Sequence, residues 1–169
     1  MKTKTINIYE FEELKPEIQE KVLNYFRNNN EFPFLSEELT ELLKEKLEES
    51  KIGYNDSLKI YYSLSYCQGD GFCFIGDFDY KDYKVLIKHI GNYYHSNSVS
   101  IDIVKTDTEG NEINAEENIY IEFKELYKSI CRLCENQGYA EIEYENSEEC
   151  IKENIKANEY KFRENGDIE

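Results

Sequence analysis

Residues 58–78 read LKIYYSLSYCQGDGFCFIGDF, and this stretch decides the fold. Leu58, Ile60, Tyr62, Leu64 and Tyr66 alternate with Lys59, Tyr61, Ser63 and Ser65. A period of two belongs to a half-buried strand. The run FCFIGDF at 72–78 is rich in residues that suit a pleated surface. Between the two lies QGDG, with Gly69 and Gly71 free to take positive φ, so the pair is expected to form a β-hairpin. Further on, Val99, Ile101 and Ile103 alternate with Ser100 and Asp102 and predict another strand, while residues 85–90 fit strand or helix equally.

On either side of this core the period becomes helical. Residues 3–9 predict a short first strand. Leu14, Ile18, Val22, Tyr25 and Phe26 then repeat at helical spacing, with Pro16 in the first turn, where a helix tolerates it. Ser36 is the expected N-cap of a second helix, Leu39, Leu42, Leu43 and Leu47 its apolar stripe, and Gly53 its stop. Beyond Glu116, residues Ile119, Phe123, Leu126, Tyr127, Ile130 and Leu133 or Cys134 share one helical face, with Gly138 as the expected terminator. Ser147 opens a last short helix through Ile151 and Ile155, and residues 160–162 fit a short strand.

Helices, then strands, then helices, without βαβ alternation, give an α+β class. The expectation is an antiparallel sheet of about four to five strands with helices packed on one side, in a single domain. Residues 1–53 would hold the first strand and two helices, 57–105 the central strands, and 116–169 the closing helices and short strand.

The 169 residues carry 36 acidic and 20 basic side chains, a formal charge of −16. Phosphate contacts need clustered Lys and Arg, so direct nucleic-acid binding is disfavoured and a basic partner or plain solubility favoured. Fifteen tyrosines and nine phenylalanines supply bulk for a core. No apolar run approaches the ~20 residues that span a bilayer. The N-terminus lacks an export signal, and five cysteines read as reduced thiols, so a cytoplasmic location is expected. The aromatic excess leaves room for a homodimer face.

Two segments could carry chemistry. The loop of Tyr66, Gln68, Gly69, Asp70 and Gly71 could present polar groups to a ligand, or could be a turn in which Asp70 bonds nearby amides. It has neither the spacing of a nucleotide fingerprint nor that of a calcium loop. The second segment, KHIGNYYHS at 88–96, holds both histidines. If it is extended, His89, Gly91, Tyr93 and His95 share one face, with Asn92 and Tyr94 on the other. With Asp70 or Asp77 they could act as acid and base or hold a metal, but a six-residue gap is no ligand signature, and no metal or cofactor is expected. Cys131 and Cys134 have C-x-x-C spacing inside a helical stripe, which indicates core packing. No nucleophilic signature is present, so no catalytic residue is assigned. The second helix exposes Glu37, Glu38, Glu41, Glu45, Glu48 and Glu49, an acidic face able to meet a basic partner.

Four segments taken together resemble a family of small accessory proteins of phages, prophages and plasmids, some members of which are labelled antitoxin-like. The residues that carry the likeness are 11–26, 65–74, 91–103 and 157–162, which match an opening helix, an S-Q-G-D-G-A-x-F strand end, G-x-Y-x-H and A-N-E-Y-x-F. Cys67 stands where the family has Ser, Phe72 replaces a small residue, and the segment between Tyr80 and Tyr93 is shorter. The resemblance implies a mobile-element context and no particular activity. Joined to the charge, it gives the expectation of a non-enzymatic protein that binds and inhibits a host protein with a basic surface. An anti-CRISPR acting on a nucleic-acid-binding effector is the leading case. The alternatives are a small ligand- or metal-binding enzyme using the QGDG turn with His89, Tyr94 and His95, an antitoxin, or a structural accessory.

Overall fold

The computed structural model describes residues 7–169, so most of the strand expected at 3–9 lies outside the described residues. The chain forms two compact units, one from Met1–Pro33 with Ala140–Glu169 and the other from Phe34–Tyr139.

The second unit holds the sheet. Its strands are β1 (Ile52–Tyr54), β2 (Lys59–Ser63), β3 (Gly71–Tyr80), β4 (Tyr83–His89), β5 (Val99–Thr106) and β6 (Glu112–Asn114). They pair antiparallel in the order β1-β3-β4-β5-β6, with β2 also against β3. The class is α+β with six strands rather than four to five. The additions, β1 and β6, have three residues each and are too short to show alternation. The ambiguous residues 85–90 fall largely in β4, whose register sets Val85 opposite Phe78 and Ile103.

Alternation in β3 orients the sheet: Phe74, Phe78 and Tyr80 are buried while Asp77 and Asp79 are exposed. The buried face meets helix α3 (Glu117–Glu145), with Tyr127 4.5 Å from Phe74 and Phe123 5.1 Å from Tyr80, ring centre to ring centre. Helix α2 (Leu35–Glu49) buries Leu35, Leu39, Leu43 and Leu47, one residue per turn. β4 pairs with β3 only from Gly76 onward. At Phe74 the Tyr127 hydroxyl accepts from the amide at 3.3 Å and donates to the carbonyl at 3.1 Å. Gly76, at φ +140°, marks the change of partner, and a side chain there would meet the Ser57 backbone at 3.0 Å.

The first unit packs helix α1 (Pro16–Asn28) with α4 (Glu148–Ala157) around Phe11, Leu14, Val22, Leu23, Ile151, Ile155 and Phe162. Ser147 caps α4 as expected, accepting from the Cys150 amide at 3.2 Å. The strand expected at 160–162 reduces to single bridges of Phe162 with Tyr9 and Ile168.

Three expected stops and caps fall elsewhere. Phe34, not Ser36, precedes α2, and Gly53 lies within β1 opposite Asp79 rather than ending the helix. Gly138 lies inside α3, where an added Cβ would come 2.4 Å from Leu64 Cδ1. That glycine serves close packing on a strand end, a need no local pattern reveals. Among the described residues no helix is long and apolar enough to cross a membrane.

Candidate functional site

The loop between β2 and β3 is organised around one carboxylate. Asp70 is 8% exposed and accepts five hydrogen bonds. Oδ2 receives the Tyr139 hydroxyl at 2.6 Å, the Ser65 amide at 2.7 Å and the Cys67 amide at 3.0 Å. Oδ1 receives the Ser63 hydroxyl at 3.0 Å and the Cys67 thiol at 3.1 Å. Burial alone would push this carboxyl up. The hydroxyl of Tyr139, the thiol and amide of Cys67 and the hydroxyl of Ser63 outweigh it and hold Asp70 well below the ordinary carboxylate range. Its lone pairs are committed to folding the loop, so it is a brace and not a proton acceptor for a substrate.

The brace fixes what surrounds it. Tyr66 is held at φ +57°, is 63% exposed, and lays its ring 4.8 Å from that of Tyr139. Gln68 is exposed beside it. The glycines of QGDG, free to take positive φ, do not do so; they allow close approach. A Cβ on Gly71 would lie 2.9 Å from His95 Nδ1 and 3.0 Å from His95 Cα and the Tyr94 carbonyl oxygen. A Cβ on Gly69 would lie 3.2 Å from the Tyr93 ring. The turn and the histidine segment, expected to converge in the ligand-binding alternative, are therefore in contact.

Residues 90–98 turn back instead of extending, with Gly91 at φ +85° and the Ile90 amide bonded to the Ser98 carbonyl at 2.8 Å. The two histidines take different ring partners. His89 shares an aromatic triangle with Tyr61 at 5.5 Å and Tyr94 at 5.6 Å, and its Nε2 lies 2.9 Å from the Tyr93 carbonyl oxygen. His95 instead faces the Tyr93 ring at 5.7 Å. Among the described residues, no group of three or more His, Cys, Asp or Glu side chains is placed to hold a metal ion.

Sequence reasoning missed three partners. Tyr139 lies 69 residues from the carboxylate it bonds, Ser63 enters the sequence pattern only as one of the polar residues alternating through 58–66, and Tyr61 closes the aromatic triangle. The one available signal was Gly138, whose missing side chain lets α3 approach Leu64 and brings Tyr139 to the loop.

The remaining candidates are simpler. Cys131 and Cys134 are buried on α3, where burial pushes Cys131 well above the ordinary thiol value and Cys134 up to about 12. Both are core residues without thiolate character. On α2, Glu37, Glu38, Glu41, Glu45, Glu48 and Glu49 are all exposed. Lys46 bridges Glu45 and Glu49, each at 2.9 Å, and the Tyr54 hydroxyl donates to Glu48 at 3.1 Å.

No family model, no curated protein and no solved structure matches this chain. Its class rests on its own fold and sites: an acidic α+β protein with a braced loop and an acidic helix face.

Proposed function

We propose that this is a non-enzymatic acidic binding protein that engages and inhibits a host protein through that protein's basic surface. The leading case is a phage- or mobile-element inhibitor of host defence, an anti-CRISPR acting on a nucleic-acid-binding effector. The observation that carries the proposal is the outward face of α2, where six glutamates lie exposed over a stripe of buried leucines. A helix so anchored presents negative charge on a fixed support, and such a surface steers association with a Lys- and Arg-rich groove. The commitment of Asp70 to its own loop supports binding rather than acid–base chemistry.

The test is target-DNA cleavage by a panel of CRISPR effectors with and without the protein, at two salt concentrations. Inhibition should weaken as salt rises and should be lost when Glu37, Glu38 and Glu41 are replaced by Lys. Inhibition that ignores both salt and charge reversal removes the acidic face from the mechanism. No inhibition in any system refutes the anti-CRISPR assignment.

A second reading, binding of a ligand at the QGDG turn, draws on the contact of Gly69 and Gly71 with Tyr93, Tyr94 and His95. It predicts loss of ligand on replacing His95 without loss of fold. An antitoxin would use the same acidic surface against a basic toxin.

A further inference from the structure

Helix α3 carries basic groups that form no ion pair among the described residues. Of the three arginines in the chain, Arg27 pairs with Glu20 at 3.0 Å and Arg163 with Glu169 at 2.6 Å. Arg132 has no carboxylate within 4.0 Å among the described residues, although the chain carries 36 acids. Lys128, one turn earlier on the same face, is likewise without an ion pair among the described residues. The two line a groove of about 530 Å³ with Ser129 of the same helix and Ser96 of the loop after β4. Glu125 and Glu135, the first and last of its lining residues along the helix, complete it. A second groove, of about 420 Å³, adjoins it through Ser129 and Arg132 and adds Leu133, 40% exposed, and Asn136.

We infer that this groove binds a small phosphomonoester, with the phosphate between Arg132 and Lys128 and the organic part over Leu133 and Asn136. A guanidinium fork takes two oxygens of an anion in parallel hydrogen bonds, and an ammonium acts as a compact charge on a third. Two serine hydroxyls supply further donors. A carboxylate, with two oxygens, would leave part of this donor set unused, whereas a terminal phosphate matches it in oxygens and in charge. The two lining glutamates exclude a continuous polyanion, since a nucleic-acid strand would have to carry its phosphates past them. A volume of about 530 Å³ falls within the range that small-molecule sites occupy.

The test is titration of the 15N-labelled full chain with inorganic phosphate, AMP, ribose 5-phosphate and, as a control, adenosine. Amide shifts should localise to 128–136 and to the loop around Ser96, with AMP binding more tightly than inorganic phosphate and adenosine inert. Arg132→Gln should weaken AMP binding about tenfold or more, and Arg132→Lys by less, because charge remains while the fork is lost. Glu125→Gln should leave binding unchanged or tighten it. Both positions touched are on the surface, and circular dichroism of each variant reports its fold. The inference is overturned by the absence of localised shifts up to about 10 mM of every phosphate, a range that already admits binding weaker than 4 kcal/mol. It is also overturned if Arg132→Gln binds as well as the parent, if adenosine binds as well as AMP, or if inorganic phosphate alone binds.

Discussion

Removing the Asp70 side chain should unfold the β2–β3 loop before it disturbs anything else. Asp70→Ala strands two amides that cannot turn away, those of Ser65 and Cys67, now bonded at 2.7 and 3.0 Å. Each buried donor left without a partner costs roughly 1–3 kcal/mol. Ser65 and Tyr66 are exposed, so water can reach part of the loop, and a loss of about 3 kcal/mol is expected rather than the upper bound. Asp70→Asn keeps one oxygen for those amides and turns its NH2 toward Ser63, whose hydroxyl can rotate to accept. Only the charge assistance goes, a loss of about 1–2 kcal/mol. The two variants should therefore rank in that order in urea unfolding at pH 7. Tyrosine fluorescence and circular dichroism would follow the transition, since the chain has no tryptophan.

A pH series gives the second arm. The folded carboxyl sits below its unfolded value near 3.9, so its contribution is complete above about pH 4. As the pH falls further, the unfolded chain takes up the proton first, and the advantage of the parent over Asp70→Asn shrinks by at most about 1.4 kcal/mol per unit. An Asp70→Ala variant within about 0.5 kcal/mol of the parent at pH 7, or a gap to Asp70→Asn that is constant from pH 5 to 2.5, would refute the brace.

Three further outcomes follow from the same geometry. Gly71→Ala must displace the backbone of Tyr94 and His95, at 3.0 Å, and should lower stability by about 1–3 kcal/mol while shifting the His89 and His95 ring resonances in NMR. Tyr127→Phe leaves the Phe74 amide and carbonyl without their hydroxyl partner in a fully buried site, a loss of about 1–3 kcal/mol in urea unfolding with the m-value unchanged. Of the five free thiols, Cys67 is exposed and Cys73, Cys131 and Cys134 are buried, so Ellman's reagent should label Cys67 fast. The three buried thiols should react only on unfolding, and fast reaction of Cys131 and Cys134 would contradict their place in the core.

What the amino-acid order determined by itself was local and periodic. Alternation at 58–66 and 99–103 defined strands, the first ending early at Ser63, the spacing of Leu39, Leu43 and Leu47 defined a helix face, and Pro16 and Ser147 marked helix starts that the fold contains. These features depend on neighbours within a turn or a pleat, where a side chain's preference acts directly on its own backbone. Three-residue strands escaped because β1 and β6 are held by their partners, not by their own pattern. The glycines were read for torsional freedom, yet Gly69, Gly71 and Gly138 are needed for the atoms they admit: Tyr93, His95 and Leu64. For the same reason, only tertiary structure decided the site. It brought Tyr139 to Asp70 across 69 residues, gave His89 and His95 different ring partners, and set Arg132 in a groove without an ion pair among the described residues. Periodicity tells which side of an element faces inward; what that side meets depends on packing between segments far apart in the chain.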